Sequence, residues 1–348
     1  MSKNRITWYF VITFILLMVT SLAGIIIGSV SIPIKTTLLV IISKIIPNHW
    51  INHLPIPESQ AVIIWLIRIP RVVVAALVGA ALAVAGAQMQ GLFQNPLASP
   101  DIVATSSGSA LGAVIALTSG LSSISLFYIP IFAFLGALFT LLVVYGIATQ
   151  RNMTPITTLL LAGIALNALI GAITSFLITI AWVQPEVARE IIFWLMGGLE
   201  SRTWSHVWIA LPGTVLGITL ALWYTRELDI LLMGTDTAYS LGVEVEAVKR
   251  LILISSALLT GTAVAVSGIV GFVGLIIPHI VRLVIGPKHC YLIPASAIVG
   301  AIFLILADLL ARTLHRPEEI RLGIITALVG APFFLYLLLQ ERHKLGYL

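Results

Sequence analysis

Long apolar stretches recur along the chain, separated by short polar clusters, and this pattern predicts membrane-crossing helices. A helix needs ~20 apolar residues to cross ~30 Å of hydrocarbon. Runs near that length fall at 8–28, 71–92, 128–148, 157–182, 204–224, 292–311 and 322–340. Shorter runs fall at 103–118, 251–267 and 270–285. Transporters use short or broken helices of this kind where other helices shield them from lipid. The pattern predicts an all-α, polytopic membrane protein of about ten transmembrane helices, an even number that puts both termini on one side.

One stretch breaks the pattern. Thr225 to Arg250 (TRELDILLMGTDTAYSLGVEVEAVKR) holds eight charged side chains between two long apolar runs. It cannot lie in hydrocarbon, where a charge at mid-bilayer costs roughly 2.5–3.5 kcal/mol even on the mildest scale. A solvated loop is one reading. The other is two surface helices joined by a turn, because Leu228, Leu231, Leu232, Tyr239, Leu241, Val243 and Val248 break up the charges while Gly234 and Gly242 punctuate the segment.

Composition narrows the class. Apolar residues make up 59% of the chain and charged residues 9%, against about 25% charged in a soluble domain, and the mean hydropathy is +1.09. The expected organisation is therefore a single transmembrane domain over 1–348, with 225–250 as its one large polar excursion and no room for a soluble catalytic domain. The net charge of +5 reflects a few basic loops and does not point to nucleic acid. Cys290 is the only cysteine, which excludes an internal disulfide and a cysteine metal cluster. Lys3 and Arg5 followed by an apolar run resemble a signal peptide, but the run is too long and lacks a convincing cleavage site, so it reads as a retained first helix.

Charge counts do not settle orientation. With the N-terminus inside, ten of the 19 Lys and Arg fall inside and nine outside, so the positive-inside rule is nearly silent and the outer face would be unusually basic. Two glycine-rich stretches resemble each other: Gly79, Gly86 and Pro96 repeat as Gly261, Gly268 and Pro278 with the same spacings. Five crossings separate them, the mark of an inverted repeat, although small-residue packing alone also makes membrane helices look alike.

Several motifs together resemble one family. Arg68-Ile69-Pro70-Arg71, the following GAALAVAGAQMQGLFQNPLASPDIVATSSG, Trp194–Gly198, GFVGLIIPHIVRL (Gly271–Leu283), LADLLAR (Leu306–Arg312) and LGIITALVGAPFF (Leu322–Phe334) resemble the FecCD family of permease subunits of ABC importers for iron-siderophores, haem and cobalamin. The resemblance runs from about Arg68 to the end. It implies a cell-membrane permease with both termini cytoplasmic, a second identical or similar copy, ATP-binding cassette ATPase subunits, and a soluble or lipid-anchored substrate-binding protein. Besides membrane lipid no other partner is implied, and nucleic acid is not one. The chain would bind no cofactor, because no GxxxxGK[ST] sequence is present and ATP and Mg would sit on the partner ATPase; no metal site is assigned, and the chain itself would not be an enzyme.

The resemblance also assigns residues. Thr225–Arg250 becomes a cytoplasmic loop docking on the ATPase, with Asp236, Ala238, Leu241, Gly242 and Glu244 as its coupling residues; Asp236-Thr237-Ala238…Gly242 is a variant of the importers' Glu-Ala-Ala…Gly signature. Arg68, Arg71 and Arg312 become receivers of acidic residues on the binding protein, a task suited to the planar guanidinium fork. Snorkelling at helix ends is the other reading for them, and Asp308, four residues before Arg312, is an intramolecular suitor. Asn95 and Leu97, with Ile156 and Thr157 at the start of the fifth crossing, would close the translocation path inside, and Asn167 lies on its wall or acts as ordinary interhelical glue.

The cargo implied is a metal chelate, an iron(III)-siderophore first, with haem or cobalamin as alternatives. Two rivals come from other classes. An ion-coupled secondary transporter needs ionisable residues inside the crossings, and Asp308 is the main candidate. An intramembrane enzyme needs a Ser/His, paired-Asp or HExxH set, and none is visible.

Overall fold

The computed structural model describes residues 3–28, 30, 32–45, 57–125, 127–151, 153–316 and 318–344. Among them the regular structure is helical, apart from a bridge between Gln150 and Met153. The helices in order are α1 (Lys3–Ile26), α2 (Ile34–Ile45), α3 (Glu58–Val62), α4 (Ile69–Leu92), α5 (Thr105–Thr118), α6 (Leu121–Ile124), α7 (Tyr128–Ala148), α8 (Ile156–Ala181), α9 (Pro185–Leu195), α10 (Trp204–Trp223), α11 (Thr225–Leu231), α12 (Thr235–Ser240), α13 (Val245–Ser267), α14 (Val273–Ile285), α15 (His289–Ala311) and α16 (Leu322–Lys344). Each of the ten apolar runs lies on one of α1, α4, α5, α7, α8, α10, α13, α14, α15 and α16, and seven of these helices are long and apolar enough to cross a membrane. The protein is a multi-pass membrane protein.

The core is built on α4, α13 and α15. In the apolar window of α13, 78% of residues are buried, against 22% for α8. The core helices approach at backbone distance: a Cβ on Gly79 of α4 would overlap the Gly300 carbonyl of α15, and one on Gly86 the Gly274 carbonyl of α14. Without a hydrophobic force between helices in lipid, close packing through small residues is what holds such helices together. At 14 and 13 residues, α5 and α14 reach only ~20 Å at 1.5 Å per residue. Non-α backbone precedes them at 93–104, which includes a 3₁₀ turn at Pro100–Val103, and at 268–272, which membrane depth tolerates where neighbouring helices cover it.

Helix lengths run in parallel through the two stretches that resemble each other. Lengths run 24, 14, 21 and 26 residues for α4, α5, α7 and α8, and 23, 13, 23 and 23 for α13 to α16. Gly79 and Gly261 both sit at close helix crossings, against Gly300 and Ala137. Beyond that point the sequence match fails: Gly86 is inside a helix whereas Gly268, with φ +67°, ends one, and Pro96 lies in a turn whereas Pro278 lies inside α14. Ala104 and Phe272, left-handed residues (φ 60° and 69°), open α5 and α14 in the same way.

The second crossing begins earlier than Arg68. α3 runs without a break into a π-helical turn, Ile63–Arg68, and then into α4. Pro70 has no N–H to offer and its ring crowds the preceding turn, and a widened π turn is one way to absorb that locally. Trp204 donates its indole N–H to the Trp65 carbonyl at 2.8 Å, placing a pair of tryptophans beside this turn. Such aromatics mark membrane–water interfaces.

Candidate functional site

Charged residues collect at the two ends of the bundle, and the ends are built differently. At the end where α4 begins and α15 finishes, charges pair within the chain. Arg71 is 8% exposed. It bonds Asp308 through Nε and NH2 (3.0 and 2.8 Å) and Glu319 through NH1 and NH2 (2.9 and 2.7 Å). Arg312 pairs with the other oxygen of Asp308 at 3.3 Å and donates to the Gly24 carbonyl at 2.7 Å. Arg68, 4% exposed, donates to the carbonyls of Ile25, Ile26 and Val30. The last carbonyls of a helix lack intrahelical partners, so Arg68 and Arg312 together cap the C-terminal end of α1.

Arg68 and Arg71, three residues apart, diverge: one reaches α1 and the other α15. All three arginines are buried and committed inside the chain, so a direct grip on a partner's carboxylate would have to displace Asp308, Glu319 or a helix carbonyl. Asp308 is itself 1% exposed and held by two arginines. Beside this network a cavity of about 950 Å³ is lined by Arg71, Arg202, Arg321, Glu200, Glu319 and others. Burial pushes the Arg202 guanidinium down to about 10, Arg71 adding to the effect and Glu200 opposing it. Arg189 and Arg316 are exposed at this end.

The opposite end carries the polar stretch, and its two surface helices are α11 and α12. Leu228, Leu231 and Ala238 are buried in the core. Asp236, Leu241, Gly242 and Glu244 are exposed, and Leu241 and Tyr239 are 61% and 51% exposed. Gly234 (φ +105°) and Gly242 (φ +79°) make the turns. Among the proposed coupling residues, then, Ala238 anchors the segment and the others display it.

The segment is fixed to the bundle on its inner side. Asp229 of α11 accepts both the backbone N–H (2.9 Å) and the ring Nδ1 (2.7 Å) of fully buried His289. Burial works against its charge, but these bonds and the nearby Lys288 outweigh it and hold the carboxyl below its usual range. Gln94 donates its side-chain amide to the Leu231 carbonyl. Glu246 and Lys249, 2.8 Å apart on the first turn of α13, both bond Thr154.

The residues expected to close a conduit lie at this same end. Asn95 and Thr157 are exposed, Leu97 and Ile156 half-buried, and Asn95 folds its own turn by accepting from the Leu97 N–H at 2.9 Å. Asn167 is a fastener: it donates to the Asp101 carbonyl (2.9 Å) and accepts from Ser107 (2.6 Å). Only a stripe of α8, including Leu159, Gly163, Ile170 and Thr174, is buried, and Leu161, Ile164, Leu169 and Phe176 are more than half exposed.

Sequence reading missed Glu319, Gln94 and Thr154. Their roles depend on partners 137 or 248 residues away in two cases and 92 in the third, and only the i,i+3 spacing of Glu246 and Lys249 hinted at a pair.

The family model of the FecCD transport family matches residues 16–340. A cobalamin import system permease protein, BtuC, of Halobacterium salinarum is 48% identical over 283 residues, 81% of this chain and 75% of that protein. An ABC transporter permease protein, YvrB, of Bacillus subtilis is 42% identical over 346 residues, 98% of this chain and 96% of that one. A solved ABC transporter assigned to the metal-chelate type, in an inward-facing conformation, superimposes with a TM-score of 0.82 at 32% identity, covering 94% of this chain and 97% of its own. With a helix order, a displayed α11–α12 segment and a match over nearly its whole length, the chain belongs to the FecCD transport family, as an ABC transporter permease of the cell membrane.

Proposed function

We propose that this permease imports a chelated metal as one of two copies, each engaging an ATPase subunit through α11 and α12. The observation that carries the reading is the build of that segment: its apolar side is sunk in the core while Asp236, Leu241 and Glu244 face outward. A rigid, anchored helix can transmit a push from a partner that binds and hydrolyses ATP with Mg; this chain's own part is mechanical and not catalytic. Both termini and the α11–α12 segment then lie in the cytoplasm, and the arginine end faces out.

The broad exposed face of α8 is the wall offered to the second copy and to the cargo between them. Asn95, Leu97, Ile156 and Thr157 close the path at its cytoplasmic end. An acidic binding protein, soluble or lipid-anchored, lands on the arginine end, where Arg68, Arg71 and Arg312 hold the platform together and Arg189 and Arg316 are accessible. A ferric siderophore is the first cargo to test. Cobalamin stands beside it because the relative at 48% identity is a cobalamin permease, and haem is the third.

The test is reconstitution of the permease with its ATPase and binding protein in liposomes, each chelate loaded in turn. ATP-dependent uptake of one chelate, abolished when 225–250 is replaced by a neutral linker, is the expected result. Uptake driven by an ion gradient without ATP would overturn the reading.

A further inference from the structure

The α11–α12 segment, with the first turn of α13 that follows it, is bonded to two loops at its end of the bundle. On its N-terminal side, Gln94 of the loop following α4 donates to the Leu231 carbonyl at the end of α11. On its C-terminal side, the first turn of α13 grips the loop that precedes α8. Glu246 Oε2 accepts the Thr154 N–H at 2.9 Å, and Lys249 Nζ donates to the Thr154 carbonyl at 3.1 Å. One partly buried ion pair, with side chains 17% and 9% exposed, thus holds both backbone groups of a single residue.

The Thr154 grip lies between two short hydrogen-bonded turns. Gln150 and Met153 exchange backbone hydrogen bonds (3.0 and 2.9 Å), and the Thr149 and Thr154 hydroxyls share another at 2.9 Å, so the turn before α8 moves as a unit. α8 begins at Ile156, two residues beyond Thr154. On the other side, the Val243 N–H bonds the Ala238 carbonyl and the Val245 N–H the Val243 carbonyl, so α12 is linked to α13 by a tight turn. A buried ion pair adds little net stability over a well-packed apolar pair. What it adds here is register, because a donor and an acceptor together hold the N–H and the C=O of one residue, and with them two consecutive peptide groups.

We propose that Glu246 and Lys249, with Gln94 as their counterpart, are positioning residues that carry movement of the α11–α12 segment to the start of α8 and to the loop holding Asn95 and Leu97. The inference rests on the proposed coupling and closing roles of those segments.

The experiment uses the reconstituted transporter with Lys249→Met, Glu246→Leu and Gln94→Leu. Glu246 and Lys249 point into the bundle, so the variants assemble with the ATPase, while chelate delivered per ATP hydrolysed falls about tenfold, within the range of ordinary coupling free energies. Lys249→Arg keeps the cation and a donor and restores delivery. Gln94→Leu removes one hydrogen bond near the surface, does not threaten folding, and lowers delivery per ATP as well. Hydrogen exchange at the Thr154 amide, which needs no partner, reads the grip directly and speeds up in Glu246→Leu, which removes the acceptor, and in Lys249→Met. Faster exchange with unchanged delivery per ATP would make the pair merely structural and overturn the proposal; so would unchanged exchange. A wild-type protein that imports nothing with ATP would instead overturn the proposed function, leaving the exchange result to judge the grip.

Discussion

The two ends of this bundle carry similar numbers of charges and use them in opposite ways. At the arginine end, Arg71, Arg312, Asp308 and Glu319 are drawn inward and neutralise one another, and Arg68 closes off the carbonyls of α1. At the α11–α12 end, Asp236 and Glu244 stand exposed, and the anchoring is shared between buried Leu228, Leu231 and Ala238 and inward bonds such as Asp229 to His289. The difference teaches that a charge cluster near a membrane surface is not by itself a docking surface. What matters is whether the chain supplies the opposite charge itself.

Substitutions that overload or empty the inner network should break this contrast most visibly. Arg71→Glu brings a third carboxylate against Asp308 and Glu319 and removes their shared cation. It should abolish folding in detergent, read as loss of a monodisperse peak, whereas the exposed Arg189→Glu should purify normally and change only the response to the binding protein. Asp308→Ala comes next. It leaves two buried guanidiniums short of their carboxylate, and removing one partner of a buried pair costs about 3–5 kcal/mol, measurable as a large fall in the unfolding midpoint. Its counterpart Asp236→Ala at the exposed end should leave that midpoint nearly unchanged, within ~0.5 kcal/mol, yet weaken ATPase assembly in a pull-down.

Gly242 sharpens the comparison from the exposed side. No atom lies within 4 Å of where its Cβ would be, so size is not what forbids a side chain; the φ of +79° is. Gly242→Val should cost about 1–2 kcal/mol through backbone strain alone and uncouple ATP hydrolysis from delivery, while Gly242→Asn, which tolerates the left-handed region, should do less of both.

The smallest effect belongs to Asp229. Its carboxyl is held below the ordinary value of about 3.9, so its contribution is fully present above that pH and is lost as pH falls through the lower folded value. The difference in unfolding midpoint between the wild type and Asp229→Asn should therefore be modest near pH 7 and shrink below about pH 4. A difference that grew on acidification would remove the carboxylate from this role.

Much of the architecture was legible from pattern alone because hydrocarbon is a demanding solvent. Each of the ten apolar runs became a helix, since a backbone in lipid has few other ways to satisfy its hydrogen bonds. The segment from Thr225 to Arg250 was legible for the converse reason, its charges barring it from the bilayer. Less legible was the stretch before Arg68: Glu58–Arg68 is helical ahead of Pro70, and α2 lies in what reads as an outer loop. The repeat was read in a register that holds at Gly79 and Gly261 and fails further on, because glycine marks close crossings and helix ends alike, and spacing does not tell one from the other.

Sequence by itself determined that this chain is a membrane-spanning helical permease, which stretch of it faces water, and which family it resembles. The direction and partner of each charged side chain were decided only by tertiary structure. Arg71 meets Asp308 237 residues away, and Glu246 meets Thr154 92 residues away. Local periodicity sets which face of a helix is apolar, but an ion pair forms where two distant helices happen to pack closely enough to exclude water. That distance is a property of the whole bundle.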